Sequence, residues 1–233
     1  MKDLYRASKV WSSVGENVSV VDPRELSDED GIYLVRLARK AIETFVTEGR
    51  VLEEPSDAPQ HLRRKGMAFV TIEKLVGNER ELRGCIGFLK PVYSLLKTVI
   101  SAAIAAASED PRFPPLSRAE LDSIVIEVSV LSLPRKVSDP LREISIGRHG
   151  IIVTRGLYSG TLLPQVPVEY CWDVETFLAE GCLKAGMEPD CWMDPNTSIE
   201  IYEGVVFQEL EPRGRIVRRN LEEEYSKRCV SRA

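Results

Sequence analysis

Apolar residues recur at three- and four-residue intervals along "SDEDGIYLVRLARKAIETFV": Ile32, Val35, Ala38, Ile42, Phe45 and Val46. That spacing lines one face of a helix. Ser27 and Asp30 form an acidic variant of the capping box in front of it. The acidic start, followed by Arg36, Arg39 and Lys40, suits the helix dipole. After the proline- and charge-rich loop "VLEEPSDAPQHLRRKG" the period changes. "GMAFVTIEKL" and "ELRGCIGF" read as two strands joined by the turn "GNER". A second helical stripe follows, with Pro91 in its first turn and Val92, Leu95, Leu96, Val99, Ile100, Ala103, Ile104 and Ala107 facing inward. Small residues on several faces predict packing on more than one side.

Three prolines in "DPRFPPLS" stop that helix. "AELDSIVIEVSVLS" ends in a strand with Ile124, Ile126, Val128 and Val130 on one face and Val125, Glu127 and Ser129 on the other. "GRHGIIVTRG" predicts another strand, and "YSGTLLPQVPVEY" a short strand followed by a proline-bounded loop. Asp173 caps the helix "VETFLAEGCLKAGM", which Gly186 stops, and "SIEIYEGVVFQEL" is the last strand. Turn-linked strand pairs point to antiparallel hairpins, so the expected class is α+β. From Glu211 the apolar pattern collapses into "EPRGRIVRRNLEEEYSKRCVSRA", which reads as a solvated charged tail or a marginal surface helix.

Composition narrows the function classes. The net charge of −5 provides no global basic footprint for nucleic acid. The N-terminal "MKDLYRASKVWSSVGENV" lacks the apolar core of a signal peptide. The stretch from Pro91 to Ser108 contains Lys97 and several alanines, a core helix rather than a membrane span. A cytoplasmic location is therefore expected. Five cysteines include no CxxC pair, and the chain has two histidines, so no metal site is expected. There is no Walker A loop, no GxGxxG after a strand, no HExxH and no GxSxG, and no cofactor is expected. Scarce amide residues and high charge point to a thermophilic source. In such a source an intracellular disulfide is admissible, and Cys182–Cys191 is the first pair to test.

The candidate chemistry begins at Leu82–Gly87. In a regular strand Arg83 and Cys85 share a face, and a guanidinium beside a thiol favours the thiolate. Gly84 and Gly87 remove side-chain bulk, leaving main-chain N–H groups open to a small anion. Against this stands the ordinary role of cysteine as a small buried hydrophobe and of strand glycine as a bulge marker. His149, between Gly147 and Gly150, is the histidine available as a base, or a turn residue bonding to backbone. Glu169 is a candidate base and Gln165 a candidate amide reader, in a segment stiffened by Pro164 and Pro167. Arg112 of "DPRFPP" suits a carboxylate or phosphate, or pairs with Asp110 to secure the helix exit.

Several of these segments together resemble the AMMECR1 family: "LRGCIGFL", "DPRFPPLS", "GRHGIIV", "LLPQVPVEYCWDVETFLAEGCLKAG" and "IYEGVVFQE". Leu82 to Gly87 matches that family's signature hexapeptide without a substitution. The resemblance implies an α+β domain over residues 28–212, with antiparallel or mixed sheets and packed helices in two unequal lobes around a cleft. Residues 1–27 then form an N-terminal extension and 213–233 a charged C-terminal tail. It further implies functional association with Memo-like and radical-SAM proteins. It does not supply a reaction, and whether the protein is an enzyme stays open. Three readings stand at this point. One is a small-molecule-binding or enzymatic domain in which Cys85, His149 and Glu169 act as catalytic groups and Arg83, Gly84, Gly87, Arg112 and Gln165 hold the ligand. The second is a non-catalytic adaptor. The third is an RNA- or nucleotide-interacting protein.

Overall fold

The structure, a computed structural model, describes residues 19–77 and 79–231. The first eighteen residues of the expected N-terminal extension, and Arg232 and Ala233 of the expected tail, lie outside the described residues. In chain order the elements are α1 (Asp28–Glu48), β1 (Met67–Val76), β2 (Glu79–Phe88), α2 (Leu95–Ser108), β3 (Ile124–Leu131), β4 (Arg135–Lys136) and α3 (Pro140–Glu143). They continue with β5 (His149–Arg155), β6 (Tyr158–Leu162), α4 (Gln165–Tyr170), α5 (Val174–Lys184), β7 (Ser198–Glu209), β8 (Ile216–Arg218) and α6 (Leu221–Tyr225). Helices and antiparallel strand pairs make this an α+β protein. The described chain divides into two compact units: residues 19–132 with 205–219, and residues 133–204 with 220–231. Strand β7 passes from one to the other.

In the first unit the strand order is β2-β1-β3-β7, and β8 pairs with the end of β7. Helix α1 starts as its sequence predicts: Ser27 Oγ accepts from the Asp30 N–H and the Asp30 carboxylate accepts from the Ser27 N–H. It stops at Gly49, whose φ of +67° a side chain would resist. Leu34, Val35, Ala38 and Ile42 face inward, meeting an α2 that is buried on several sides. Beneath lie Ala68, Val70 and Ile72 of β1 and Ile124, Ile126 and Val128 of β3. All eight residues of β3 are buried, so both of its faces are covered. A buried ion pair ties these layers. Arg39 Nε lies 2.7 Å from Glu209 Oε1, its Nη2 donates to the Ile124 carbonyl, and the Ile126 N–H donates to Glu209 Oε2.

Three details differ from the sequence reading. Helix α2 begins at Leu95, not at Pro91. Backbone bonds from Gly66 to the Tyr93 carbonyl and from Leu95 to the Arg64 carbonyl hold the preceding turn in another conformation, and Ser94 caps the helix. Val92 accordingly stays 57% exposed, outside the buried stripe. The β1–β2 hairpin turns at Gly77 (φ +63°) but carries a bulge, because Ile72 faces Gly84 whereas Glu73 faces Leu82. Arg83 is the extra residue. The charged stretch after Glu211 is built into this unit as far as Arg219, and beyond it forms a short helix of the second unit, the helical alternative of the sequence reading. Before Arg219, β8 adds to the sheet, Arg213 bridges Glu43 and Asp122, and Arg218 pairs with Asp28.

In the second unit β5 lies between β6 and the first part of β7, with β4 on the other side of β7. Its core gathers Ile151, Val153, Phe177, Leu178, Ile199 and Ile201. Asp173 caps α5 by accepting from the Thr176 N–H. The expected loop at "PQVPVEY" is instead the short helix α4. Pro167 is tolerated because it stands in the first turn, where N–H groups have no helical partner. Cys182 and Cys191, the first pair to test, are joined, and a second disulfide links Cys171 to Cys229. The latter ties down α6 and the π-helical turn Ser226–Val230.

Candidate functional site

Strand β2 is the edge of its sheet, and an edge strand exposes unpaired N–H groups. At Cys85 that N–H is capped by the Asp110 carboxylate, 2.8 Å away at the end of α2. Asp110 also accepts from the Arg112 backbone N–H and takes a two-pronged bond from its guanidinium. Burial raises the Asp110 pKa, but Arg112 and the two N–H groups outweigh it and hold the carboxyl at about 2. The Asp110–Arg112 pair thus secures the helix exit and also seals the strand edge beside the cysteine.

The cross-strand register sets Cys85 opposite Thr71 on β1, and Thr71 opposite Glu127 on β3. Thr71 Oγ1 donates to Cys85 Sγ at 3.3 Å. Glu127, 4% exposed, is paired with Arg219 at 2.8 Å. The row Cys85–Thr71–Glu127–Arg219 is a line of polar groups across a sheet whose other face is aliphatic. Cys85 itself is partly buried and is the free cysteine of the chain. Burial pushes its thiol up to about 11; Thr71 and Arg112 act against this, while Glu127 and Asp110 reinforce it. A thiol in such surroundings is neutral at physiological pH.

Arg83 does not set the thiol. The bulge breaks the alternation that would turn Arg83 and Cys85 to one face, and the Arg83 guanidinium goes to Glu120, Nε to Oε1 at 2.7 Å. That contact leads in holding Glu120 at about 2. Arg83 and Arg112 both lie over the Phe113 ring, 5.9 and 5.4 Å from its centroid. The two glycines are filled from within. A Cβ on Gly84 would lie 2.2 Å from the Ala106 carbonyl oxygen, and one on Gly87 the same distance from the Phe69 ring. Their bareness admits a helix backbone and an aromatic ring.

The remaining candidates belong to the second unit. His149 opens β5 as a buried turn residue, its Nδ1 accepting from the Ser145 N–H at 3.0 Å. Burial and the nearby Arg148 lower its pKa, while Glu203 opposes them. Gln165 is buried at the start of α4, and Glu169 is partly buried one turn on; both are engaged by neighbouring groups. A surface depression of about 440 Å³ lies elsewhere in the first unit, lined by Lys40, Glu43, Arg118, Asp122 and Arg213, with none of the expected site residues. Sequence reasoning missed Thr71 and Arg219. The signal for Glu127 was present, a carboxylate inside an apolar strand, whereas Thr71 needed the hairpin register and its bulge.

Antiparallel sheets, a cysteine on a sealed edge hairpin and a polar row beneath it characterise this α+β protein. A family model described as AMMECR1 matches residues 35–207, and the chain belongs to that family. It is 51% identical over 201 residues to a protein of Thermococcus gammatolerans, and 48% identical over 202 residues to Protein PYRAB00100 of Pyrococcus abyssi. Each match covers 84% of this chain and 98% of the relative. The crystal structure of uncharacterized protein PH0010 from Pyrococcus horikoshii is similar, with a TM-score of 0.80 at 48% identity, covering 84% of this chain and 98% of that one. These relatives are uncharacterised proteins of thermophilic archaea. Among the described residues no helix is long and apolar enough to cross a membrane.

Proposed function

We propose that this protein is a small-molecule-binding domain in which the ligand meets the partly buried Cys85 and the exposed Arg112, backed by the buried part of the polar row, with the thiol acting as a neutral contact rather than a nucleophile. The observation that carries the reading is the gathering of Thr71, Cys85, Glu127 and Arg219 on one face of a sheet, beside Asp110 and Arg112. Core packing alone rarely lines up buried charged and polar groups in this way. A thiol raised to about 11 argues against attack by a thiolate, so a covalent cysteine mechanism is the weaker form of the idea. Asp110 and Arg112 hold the strand edge, and Arg83 with Glu120 holds the segment that follows α2. His149 supports its own turn.

The test is mass spectrometry of small molecules retained by native protein, repeated with Thr71→Val and Glu127→Gln variants and paired with thermal-shift screening. A compound retained by the wild type and released by either substitution supports the reading. Retention indifferent to both substitutions contradicts it. A second reading, a non-catalytic adaptor, is favoured by one feature: Pro111, Arg112, Pro114 and Pro115 are exposed in a stiff loop. In that case no small molecule shifts the melting temperature, and substitutions in this loop abolish partner capture.

A further inference from the structure

The two disulfides stand in opposite surroundings. Cys182 and Cys191 are 0% and 3% exposed, inside the core of the second unit. Cys171 is exposed, and Cys229 is partly so. Cys171 ends α4 in the left-handed conformation (φ 54°), and Cys229 sits in the π-helical turn that follows α6. The bond therefore joins two element ends at the surface rather than two elements within a core.

The segment it anchors is short. Helix α6 has five residues, too few to persist alone. It lies against α4, its first residue Leu221 is buried with its backbone close to Gly147, and Tyr225 donates a 3.0 Å hydrogen bond to the Trp172 carbonyl. Its internal contacts, the Asn220 cap and the Lys227–Glu223 pair, are solvent-exposed. The covalent link adds a direct tie between this segment and the end of α4, the helix that carries Gln165 and Glu169.

We propose that Cys171–Cys229 is a redox-addressable latch, opened by a dithiol reductant while Cys182–Cys191 stays closed. A thiolate of the reductant attacks the sulfur of the exposed residue Cys171, forming a mixed disulfide and expelling Cys229 as a thiolate that takes up a proton. The second thiol of the reductant then attacks its own sulfur in the mixed disulfide. It leaves as a cyclic disulfide and releases Cys171, so two electrons and two protons pass to the pair. The freed segment from Leu221 onward loosens from α4 and opens that helix to solvent. Access sets this selectivity, since attack requires an approachable sulfur.

The experiment uses the full chain under native conditions. The protein is titrated with dithiothreitol, new thiols are trapped with N-ethylmaleimide and located by mass spectrometry, and hydrogen exchange is followed on the same samples. Cys171 and Cys229 are expected to be trapped at least about tenfold faster than Cys182 and Cys191, exposure controlling the rate. Exchange in 221–231 and 165–170 should rise as they are trapped. A Cys171→Ser/Cys229→Ser variant should show the raised exchange without reductant and no response to it. If that variant does not fold, the wild-type titration decides alone. Simultaneous opening of both disulfides overturns the latch, as does unchanged exchange in 165–170 once Cys171 and Cys229 are alkylated.

Discussion

The first unit encloses an aliphatic core running from Leu34 and Ile42 through Leu96 and Val99 to Ile126 and Val128, and its single cysteine is free. The second has a smaller core around Ile151, Val153 and Phe177, and it contains both disulfides. Small cores bury too little apolar surface to offset chain entropy, and cross-links help by restricting the unfolded chain. Where apolar burial is ample, polar groups are used for geometry instead: Arg39–Glu209 ties α1 to β3 and β7, and Asp110 seals the edge at Cys85. Cysteine thus has two unrelated uses in one chain. In one unit it is a cross-link; in the other it is a neutral thiol in a polar row.

The largest loss is expected where the buried charge of the first unit is stripped of its main partner. Glu209→Ala removes the main carboxylate partner of the buried Arg39, leaving Glu43 at 3.5 Å and backbone carbonyls, and should lower stability by about 3–5 kcal/mol in denaturant unfolding. Hydrogen exchange should show the loss in β1, β2 and β3, with α5 still protected. In the second unit, loop-closure entropy ranks the cross-links. Cys171–Cys229 spans 58 residues and should contribute as much as about 4 kcal/mol, Cys182–Cys191 spans 9 and should contribute about 2.5 kcal/mol. Calorimetry of the two double-serine variants checks that order. Gly84→Ala pushes a Cβ against the Ala106 carbonyl and should cost about 1–3 kcal/mol, since backbone cannot yield as a side chain does.

Acid sharpens the contrast with a smaller effect. The folded pKa of His149 is lowered, so the unfolded state binds the proton first, and its penalty grows as pH falls below about 6.5. Asp110 and Glu120 are held at about 2, against ordinary values of 3.8 and 4.5. Their stabilisation is complete above those ordinary values and is lost as pH falls through about 2. Exchange protection in β5 should therefore decline from pH 6.5 downward, before any loss in β1 and β2. His149→Gln should remove the early phase alone.

Helix α1, the β1–β2 hairpin and the antiparallel class were legible because each rests on local pattern: caps, period and turn residues. Helix α4 was not, since Pro164 and Pro167 read as loop punctuation and only their places, at the N-cap and in the first turn, make them compatible with helix. The C-terminal segment misled because its apolar pattern is sparse; Cys229 and Arg213 anchor it through partners far away in sequence, Cys171 and Glu43. At the candidate site, Cys85 and Asp110 were visible as residue types. Their contact was not, because it depends on where α2 ends against the sheet edge. The single-residue bulge at Arg83 redirected the guanidinium to Glu120, and no periodicity argument announces a bulge.

The central claim is that Cys85 is the chain's free thiol and is neutral in its polar row. It is tested most directly by iodoacetamide labelling of the unreduced protein across pH, with the labelled residue located by mass spectrometry. The account predicts one label, at Cys85, with a rate still rising towards pH 11 and unaltered by Arg83→Met. A half-point below about 8.5 that moves up in Arg83→Met would contradict it.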